Sequence, residues 1–585
     1  MKRFTTVLFA ALAIAATANA DEPTFTYQWA HVVDAYTSAG DNVIAAVPDG
    51  TGSVYVATSF GTTTSTPYVT FDTDTILGAD GYFIQGGNYS GSSNNGNMLL
   101  QKVNIESGEV EWFAYTKKGD VDQSATAMAL TPDSGLVVVV KTRAWVKADG
   151  YDNLLEYVAP DGFGTTIKDL WTTSSEYRYL ILKISKDGEL ETTSLIAGKP
   201  TINGYTASNQ IYIYGVVVDD SGNIYVGGNF RTEMYFKDSS GDTVTYTAYN
   251  NDGWDGDSQD SLGDLFIAKF DSDGYFTSAI VADNTAEYAS YACVDRLAYN
   301  DGYIYFDARI KGIDSATTSL GGISISASTS VQTMVVGAIT TDMTVSYAKA
   351  VQPLLNKSSS YTLQNKNAQY LGGKVYYTGL VNGGFSDDSG NALTDGSSLS
   401  MLKGYVLEVE PSTGAVSNAY VWSSSSTISG FFGVFLTDNY VICHGYNMKT
   451  SEGGVLVTLN KTDFSLSSYI TVCTSGTVAL CGQPAVYGDY FVMMNRGKTS
   501  STFYGTDTTF TGLSAWLANY YCYKIEESSS TGVSALDEDE DLTGNYDVYT
   551  PGGILLKKAD NLNDAKDGLD KGIYIIGNQK VAITK

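Results

Sequence analysis

Histidine is nearly missing from this chain: His31 and His444 are the only two in 585 residues. A Ser-His-Asp hydrolase or a histidine-rich metal centre needs imidazole as base or ligand, so both are hard to build here. The two histidines read as polar strand residues. Cationic side chains are also scarce, with 35 Lys and Arg against 64 Asp and Glu and a formal net charge of −29. A surface of that sign repels a phosphate backbone and excludes nucleic acid as a partner. Five cysteines (Cys293, Cys443, Cys473, Cys481 and Cys522) lack CxxC spacing, which argues against zinc. Cys473 and Cys481 are near enough in sequence for a disulfide, yet buried free thiols account better for most of the five. After residue 20 no run is apolar for long enough to cross a membrane as a helix. Amphipathic helix patterns are nearly absent as well.

The chain is rich in what strands and turns need: sixty Gly, forty-three Tyr, and abundant Val, Thr and Ser. One wording keeps returning. "NMLLQKVNIESGEVEW", "RYLILKISKDGEL", "GDLFIAKFDSDGYF", "KGYVLEVEPSTGAV" and "GGVLVTLNKTDFSL" each join an apolar run to a polar turn and a further strand. A second column alternates with it, entered through a Gly- or Asn-containing turn. At one position it reads Tyr55, Val137, Tyr225, Tyr305, Tyr376, Ile442 and Phe491, all bulky and expected to be buried. In the first column the closing residue reads Val103, Ile184, Phe270, Ile339, Val409, Leu459 and Ile525. The residue before it is Lys102, Lys183, Lys269, Ala338, Glu408, Thr458 or Lys524.

Two alternating columns, about seven times each, give units of four antiparallel strands. That repeat predicts an all-β, seven-bladed β-propeller, since a small sheet buries both faces only by radial packing against neighbours. The seventh unit lacks its fourth strand. The orphan strand "FTYQWAHVV" (Phe25 to Val33) resembles "VEWFAYT" of the first unit, with Trp29 in the place of Trp112. It is expected to close the last blade as its outer strand.

The expected organisation is a signal peptide over 1–20, a propeller over 21–526, an acidic linker over 527–544 and a small C-terminal β-sandwich-like domain over 545–585. Lys2 and Arg3, the apolar run from Val7 to Ala16, and Ala18-Asn19-Ala20 make the signal. Export through the periplasm to the outer surface or medium follows, with no transmembrane segment, and a monomer is expected.

"VVVDDSGNIYVGGNF" followed by "GDLFIAKFDSDG" resembles the bacterial β-propeller repeat family, and the resemblance extends more weakly over residues 25 to 526. It implies a propeller and a secreted or surface location, without a fixed activity. The tail is similar to the C-terminal sorting domain of type IX secretion substrates in Bacteroidetes, through "YDVYTPGG" (Tyr546 to Gly553) and "KGIYIIGNQKVAITK" (Lys571 to Lys585). That likeness implies a small β-domain and passage across the outer membrane.

Catalytic motifs are not evident. "SKDGEL" and "DSDGYF" lack the Trp of a sialidase Asp-box and read as hairpin turns. "NIESGEVEW" resembles one quinoprotein unit that the other repeats do not continue, so no bound quinone is expected. The primary expectation is a non-catalytic scaffold binding glycan or protein through the long early-blade loops. Tyr68, Tyr82, Tyr89, Tyr246, Tyr249 and Trp254 are its candidate contacts. No organic cofactor is expected. A Ca²⁺ loop is the sharpest metal candidate, with Asp252, Asp255, Asp257, Asp260 and Asp264 as hard oxygen ligands; its alternative is a solvated acidic loop. Two other readings stand beside the scaffold: a carbohydrate-active hydrolase or lyase using carboxylates near the channel, and an adhesive module of the cell envelope.

Overall fold

A computed structural model describes residues 22–34, 42–60, 69–71, 74–77, 97–117, 121–143, 155–167, 177–198, 201–202, 205–206, 211–231, 233–248, 263–284, 292–310, 317–326, 331–354, 362–387, 391–394, 401–423, 427–448, 453–474, 480–497, 500–506, 509–511, 517–527, 548–549, 555–558, 572–576 and 579–583. Among them every regular element is a strand, and no helix is long and apolar enough to cross a membrane. They form two compact units: Tyr27–Lys524, and the described parts of Met1–Thr26 with those of Ile525–Lys585.

The larger unit is a seven-bladed β-propeller of antiparallel four-stranded blades. Blade three shows the plan, with Ile211–Val218, Ile224–Phe230, Asp264–Phe270 and Phe276–Val281 pairing in chain order from the inside outward. Second strands have a neighbouring blade on each face, so they read as unbroken apolar runs; every residue of Ile224–Phe230 is buried. Outer strands touch solvent on one face, and Leu190–Gly198 alternates accordingly. All seven residues of each aligned column, Tyr55 to Phe491 and Val103 to Ile525, are buried.

The lysines of the first column sit directly across from the aromatic column: Lys102 pairs with Tyr55 and Lys269 with Tyr225. Each ammonium lies about over its partner's ring, at 5.6 and 5.5 Å from the centroid. Lys269 then donates to the Thr341 carbonyl of the next blade at 2.7 Å, and Lys183 to Ser272 at 3.3 Å. These stems fill the gap between blades and tie the turns together. Blade seven corrects the sequence alignment by one residue. Tyr490, not Phe491, stands opposite Lys524, and a one-residue shift turns a side chain to the other face. Phe491 accordingly packs on Phe435 of blade six.

The recurring polar turn is the hairpin expected. Its glycines, Gly108, Gly188, Gly274 and Gly414, all have positive φ, and blades four and six put Met343 and Phe464 into the same conformation. At Gly108 a Cβ would also stand 2.6 Å from Trp29. That contact belongs to the ring closure. Pro23–Asp34 lies beside Leu517–Glu527 as the outer strand of blade seven, as the orphan strand predicts. Trp29 donates its indole N–H to the Ile105 carbonyl in the turn of blade one, at 2.7 Å. Trp112 makes the equivalent bond to Lys186 of blade two at 3.2 Å, so the two tryptophans occupy corresponding places. His31 adds a bond from Nε2 to the Gly108 carbonyl at 2.7 Å. Inside, Gln483 of blade seven exchanges main-chain bonds with Ile44 and Ala46 of blade one, at 3.0 and 2.7 Å.

The long insertions between second and third strands mostly follow one rule. Those of blades one, two, three, five and seven run back to the preceding blade and pair with its outer strand, while that of blade four, Thr317–Leu320 with Ile323–Ser326, pairs with Asp283–Asn284 just past the outer strand of blade three. Val69–Phe71 and Asp74–Leu77 from blade one extend blade seven, Glu156–Val158 and Gly164–Thr166 from blade two extend blade one, and Glu233–Lys237 and Thr243–Thr247 from blade three extend blade two. Gly384–Ser386 of blade five does the same for blade four, and Ser500–Phe503 with Thr509–Thr511 of blade seven for blade six. Loops expected to face a ligand are, over these described strands, sheet-edge cover.

The smaller unit holds one antiparallel sheet, in the order Leu555–Lys557, Val548–Tyr549, Gly572–Ile576 and Gln579–Ile583. All five cysteines are buried and free. Trp29→Ala should cost about 3–5 kcal/mol and expose the N-terminal strand to proteolysis. Urea denaturation followed by circular dichroism reads the first and limited trypsin digestion the second. Wild-type stability in that variant would show that the strand does not hold the ring closed.

Candidate functional site

The innermost strands wall the central channel of a propeller, and six of the seven carry the same irregularity. The register between inner and second strands slips in each, with a second slip between Val121 and Ser124 in blade two, and leaves Ile44, Thr126, Tyr214, Asp295, Lys366 and Phe432 as extra residues. Blade seven interrupts its inner strand at the same level, between Leu480–Cys481 and Ala485–Tyr487. A bulge frees one residue from the ladder and re-aims side chains, which is why bulges recur beside functional sites. Of the six bulged residues only Asp295 and Lys366, in adjacent blades, are charged.

A polar cluster spans blades three to five around these two. Arg309 grips Asp295 with two parallel bonds, Nε–Oδ2 at 2.6 Å and Nη2–Oδ1 at 2.7 Å. Asn365 Nδ2 donates to the same carboxylate at 3.1 Å and is held in turn by the Tyr405 hydroxyl at 2.7 Å. Arg296 crosses three blades: Nε donates to the Lys366 carbonyl at 2.6 Å, and Nη1 to the carbonyls of Tyr214 and, at 3.1 Å, Asp295. The Lys366 ammonium has a different standing. Among the described residues it makes no hydrogen bond or ion pair, only a contact over the Phe432 ring at 5.7 Å.

Protonation follows from these surroundings. Burial, with repulsion from Arg296 and Arg309, lowers the Lys366 pKa to about 8. Asp307, opposite Arg296 in the blade-four ladder, is fully buried. Desolvation and the Asp295 charge raise its carboxyl well above the usual range. His444 is also fully buried, and burial lowers it to about 3. It touches the Tyr521 hydroxyl at 3.5 Å through Nε2. That is core packing, as its strand position predicts. Beside the cluster, Tyr212 and Tyr214 stack at 6.0 Å and 9°. Lys141 and Arg231 lie 5.6 and 6.0 Å from the Tyr212 ring. Tyr212, Tyr214, Arg296 and Lys366 are all partly exposed.

The candidates chosen from sequence are elsewhere. Tyr68, Tyr82, Tyr89, Tyr249, Trp254, Asp252, Asp255, Asp257 and Asp260 lie outside the described residues. Tyr246 stands opposite Met234 in the hairpin that extends blade two, packed on Phe236 and Phe276 at 6.0 and 5.9 Å. Asp264 is 1% exposed within a strand, opposite Phe230. The described residues contain no group of three or more His, Cys, Asp or Glu able to hold a metal. Sequence reasoning missed the channel cluster. Its signal was present as "CVDRL" and "QNKNA", charges placed where the other inner strands carry apolar or small residues.

Fold and repeat define the class: a β-propeller repeat protein. Residues 198–229 match the beta-propeller repeat family SBBP. No curated protein sequence matches the chain. Among solved structures it is similar to a subtype N11 neuraminidase-like protein of A/flat-faced bat/Peru/033/2010 (H18N11), at 11% identity, TM-score 0.33, covering 69% of this chain and 89% of that one. It is likewise similar to quinohemoprotein alcohol dehydrogenase from Comamonas testosteroni (11%, TM-score 0.34, 85% and 76% covered). The quinohemoprotein alcohol dehydrogenase ADHIIG of Pseudomonas putida gives 11%, TM-score 0.36, and 86% and 76%. Superpositions this loose carry no functional argument.

An uncompensated ammonium tests whether this cluster serves stability. The depressed pKa means that folding penalises the charged lysine. The penalty is complete below pH 8, shrinks as pH rises toward the ordinary 10.5, and is absent above it. Lys366→Met should therefore be more stable than wild type at pH 7 by about 3 kcal/mol, with the difference closing by pH 10.5. Urea titrations at the two pH values measure it. A variant less stable than wild type at both would make Lys366 a structural residue.

Proposed function

We propose that this chain is a non-catalytic binding scaffold, exported to the cell surface or medium, which holds a glycan at the mouth of its channel. One observation carries the reading: Lys366 and Arg296 lie partly exposed on the channel strands beside the Tyr212–Tyr214 stack, and Lys366 has no partner of its own. Stacked tyrosines present apolar faces with polar tips, the combination that sugar rings require. The insertions spend their described strands on sheet edges, which moves recognition from the loops to the channel. The apolar N-terminal run and the sorting-type tail support export, with type IX secretion by a Bacteroidetes bacterium as the route.

The coupled carboxyls Asp295 and Asp307 favour a second reading, a carbohydrate-active hydrolase. Their burial weighs against it, at 2% and 0% exposure, and Asp295 is already held by Arg309. Asp295 orients the Arg309 guanidinium rather than meeting a substrate.

A glycan array probed with the mature chain, with Ca²⁺ and again with EDTA, should show binding that EDTA does not abolish, with no sugar released. EDTA-sensitive binding would instead implicate the loop from Asp252 to Asp264. Released sugar would establish the hydrolase. No bound glycan at all would sink the scaffold reading in this form.

A further inference from the structure

The chain as a whole is strongly acidic, yet the channel at blades three to five is locally basic. Lys366, Arg296 and Arg309 stand against one ionised carboxylate, Asp295. Arg309 consumes that carboxylate with both oxygens engaged, and Asn365 fixes it further. Asp307 is fully buried, its carboxyl pushed well above the usual range by desolvation, and neither of its oxygens receives a hydrogen bond from the remaining cations. Arg296 spends Nε and Nη1 on backbone carbonyls, and among the described residues its Nη2 donates to nothing. The ammonium of Lys366, next to the carbonyl that Arg296 holds, has only a ring beneath it.

Two cations with unused donors, rigidly placed and partly exposed, make an anion site without its anion. The aromatic pair limits the kind of anion. Tyr214 contributes its carbonyl to Arg296 and its ring to the stack with Tyr212, which sets an aromatic pair on the strand that Arg296 grips. The net charge of −29 limits it again, because a polyanion would be repelled before it reached the mouth. We propose that Lys366 and Arg296 bind the single carboxylate of a short acidic saccharide, with Tyr212 and Tyr214 packing on its ring. This rests on the glycan-binding reading and narrows it to a ligand class and a counter-ion.

The test is calorimetric titration of the full mature chain with a disaccharide ending in glucuronate and with its glucose-ended counterpart. The glucuronate sugar should bind at least about 30-fold more tightly, the range expected when a sheltered charge pair is completed. Lys366→Met should bring the two affinities within about threefold, while Lys366→Arg keeps the preference. Raising salt should leave the preference in place, since the pair is sheltered and only the distant repulsion is screened. Circular dichroism and the urea midpoint establish that each variant is folded. Equal binding of the two sugars, or a preference that survives Lys366→Met, overturns the carboxylate site and leaves glycan binding standing. Failure to bind either sugar removes both.

Discussion

The outer edge of each blade is the constraint to which the rest of this structure answers. A four-stranded sheet can bury both faces by radial packing, but its fourth strand still presents unpaired N–H and C=O groups. In this ring the edge is covered from one direction. The insertion of the following blade turns back and pairs with it, as Glu156–Val158 does with Val110–Lys117 and Gly384–Ser386 with Val345–Leu354. The same rule closes the circle, because the insertion of blade one reaches the N-terminal strand that completes blade seven. Blades three and five keep a bare four-stranded order: the insertion of blade four pairs with Asp283–Asn284 beyond the outer strand of blade three, and blade six, whose insertion would cover blade five, has only a short connection between Asn447 and Gly454.

Edge cover decides where function can reside. Long loops in a compact repeat ordinarily suggest recognition, but a segment hydrogen-bonded into a neighbouring sheet has lost the freedom to shape a site. Tyr246 illustrates the exchange. Its ring is spent on Phe236 of the same arm and on Phe276 of blade three's own outer strand, which packs the arm against the blade it comes from. The inner strands have no such duty. Their repeated bulge gives six of the seven blades a residue released from the ladder, where a side chain is re-aimed without loss of the strand.

Much of the fold was legible because β-structure has period two and the units repeat. Tyr55 and Tyr225 announce buried positions by size, and the place of Trp29 was readable from Trp112 alone, down to the turn carbonyl it reaches. Alignment failed where the motif was weakest: "GDYFVMM" offers Tyr490 and Phe491 side by side, and only pairing with Lys524 decides between them. The site was illegible for a related reason. A bulge breaks the alternation from which facing is inferred, so Asp295 and Lys366 cannot be placed by counting. Convergence of Arg296 on carbonyls from three blades, at Tyr214, Asp295 and Lys366, depends on ring geometry that no local pattern encodes.

The electrostatics of the channel then follow from contrast with the whole. Screening confines each exposed charge to a Debye length of about 8 Å at physiological salt, so the acidic exterior acts on approach and the local cluster acts on contact. A buried ammonium beside two guanidinium groups is a poor choice for stability, since like charges and desolvation oppose it together. Asp295 relieves Arg309 and leaves Lys366 alone. Had the cluster served only to brace the inner strands, a neutral residue at position 366 would do so at lower cost, as Ile44 and Thr126 do at the corresponding bulges of blades one and two. A lysine held against its own desolvation breaks the local rule for stability, the kind of departure that functional sites carry.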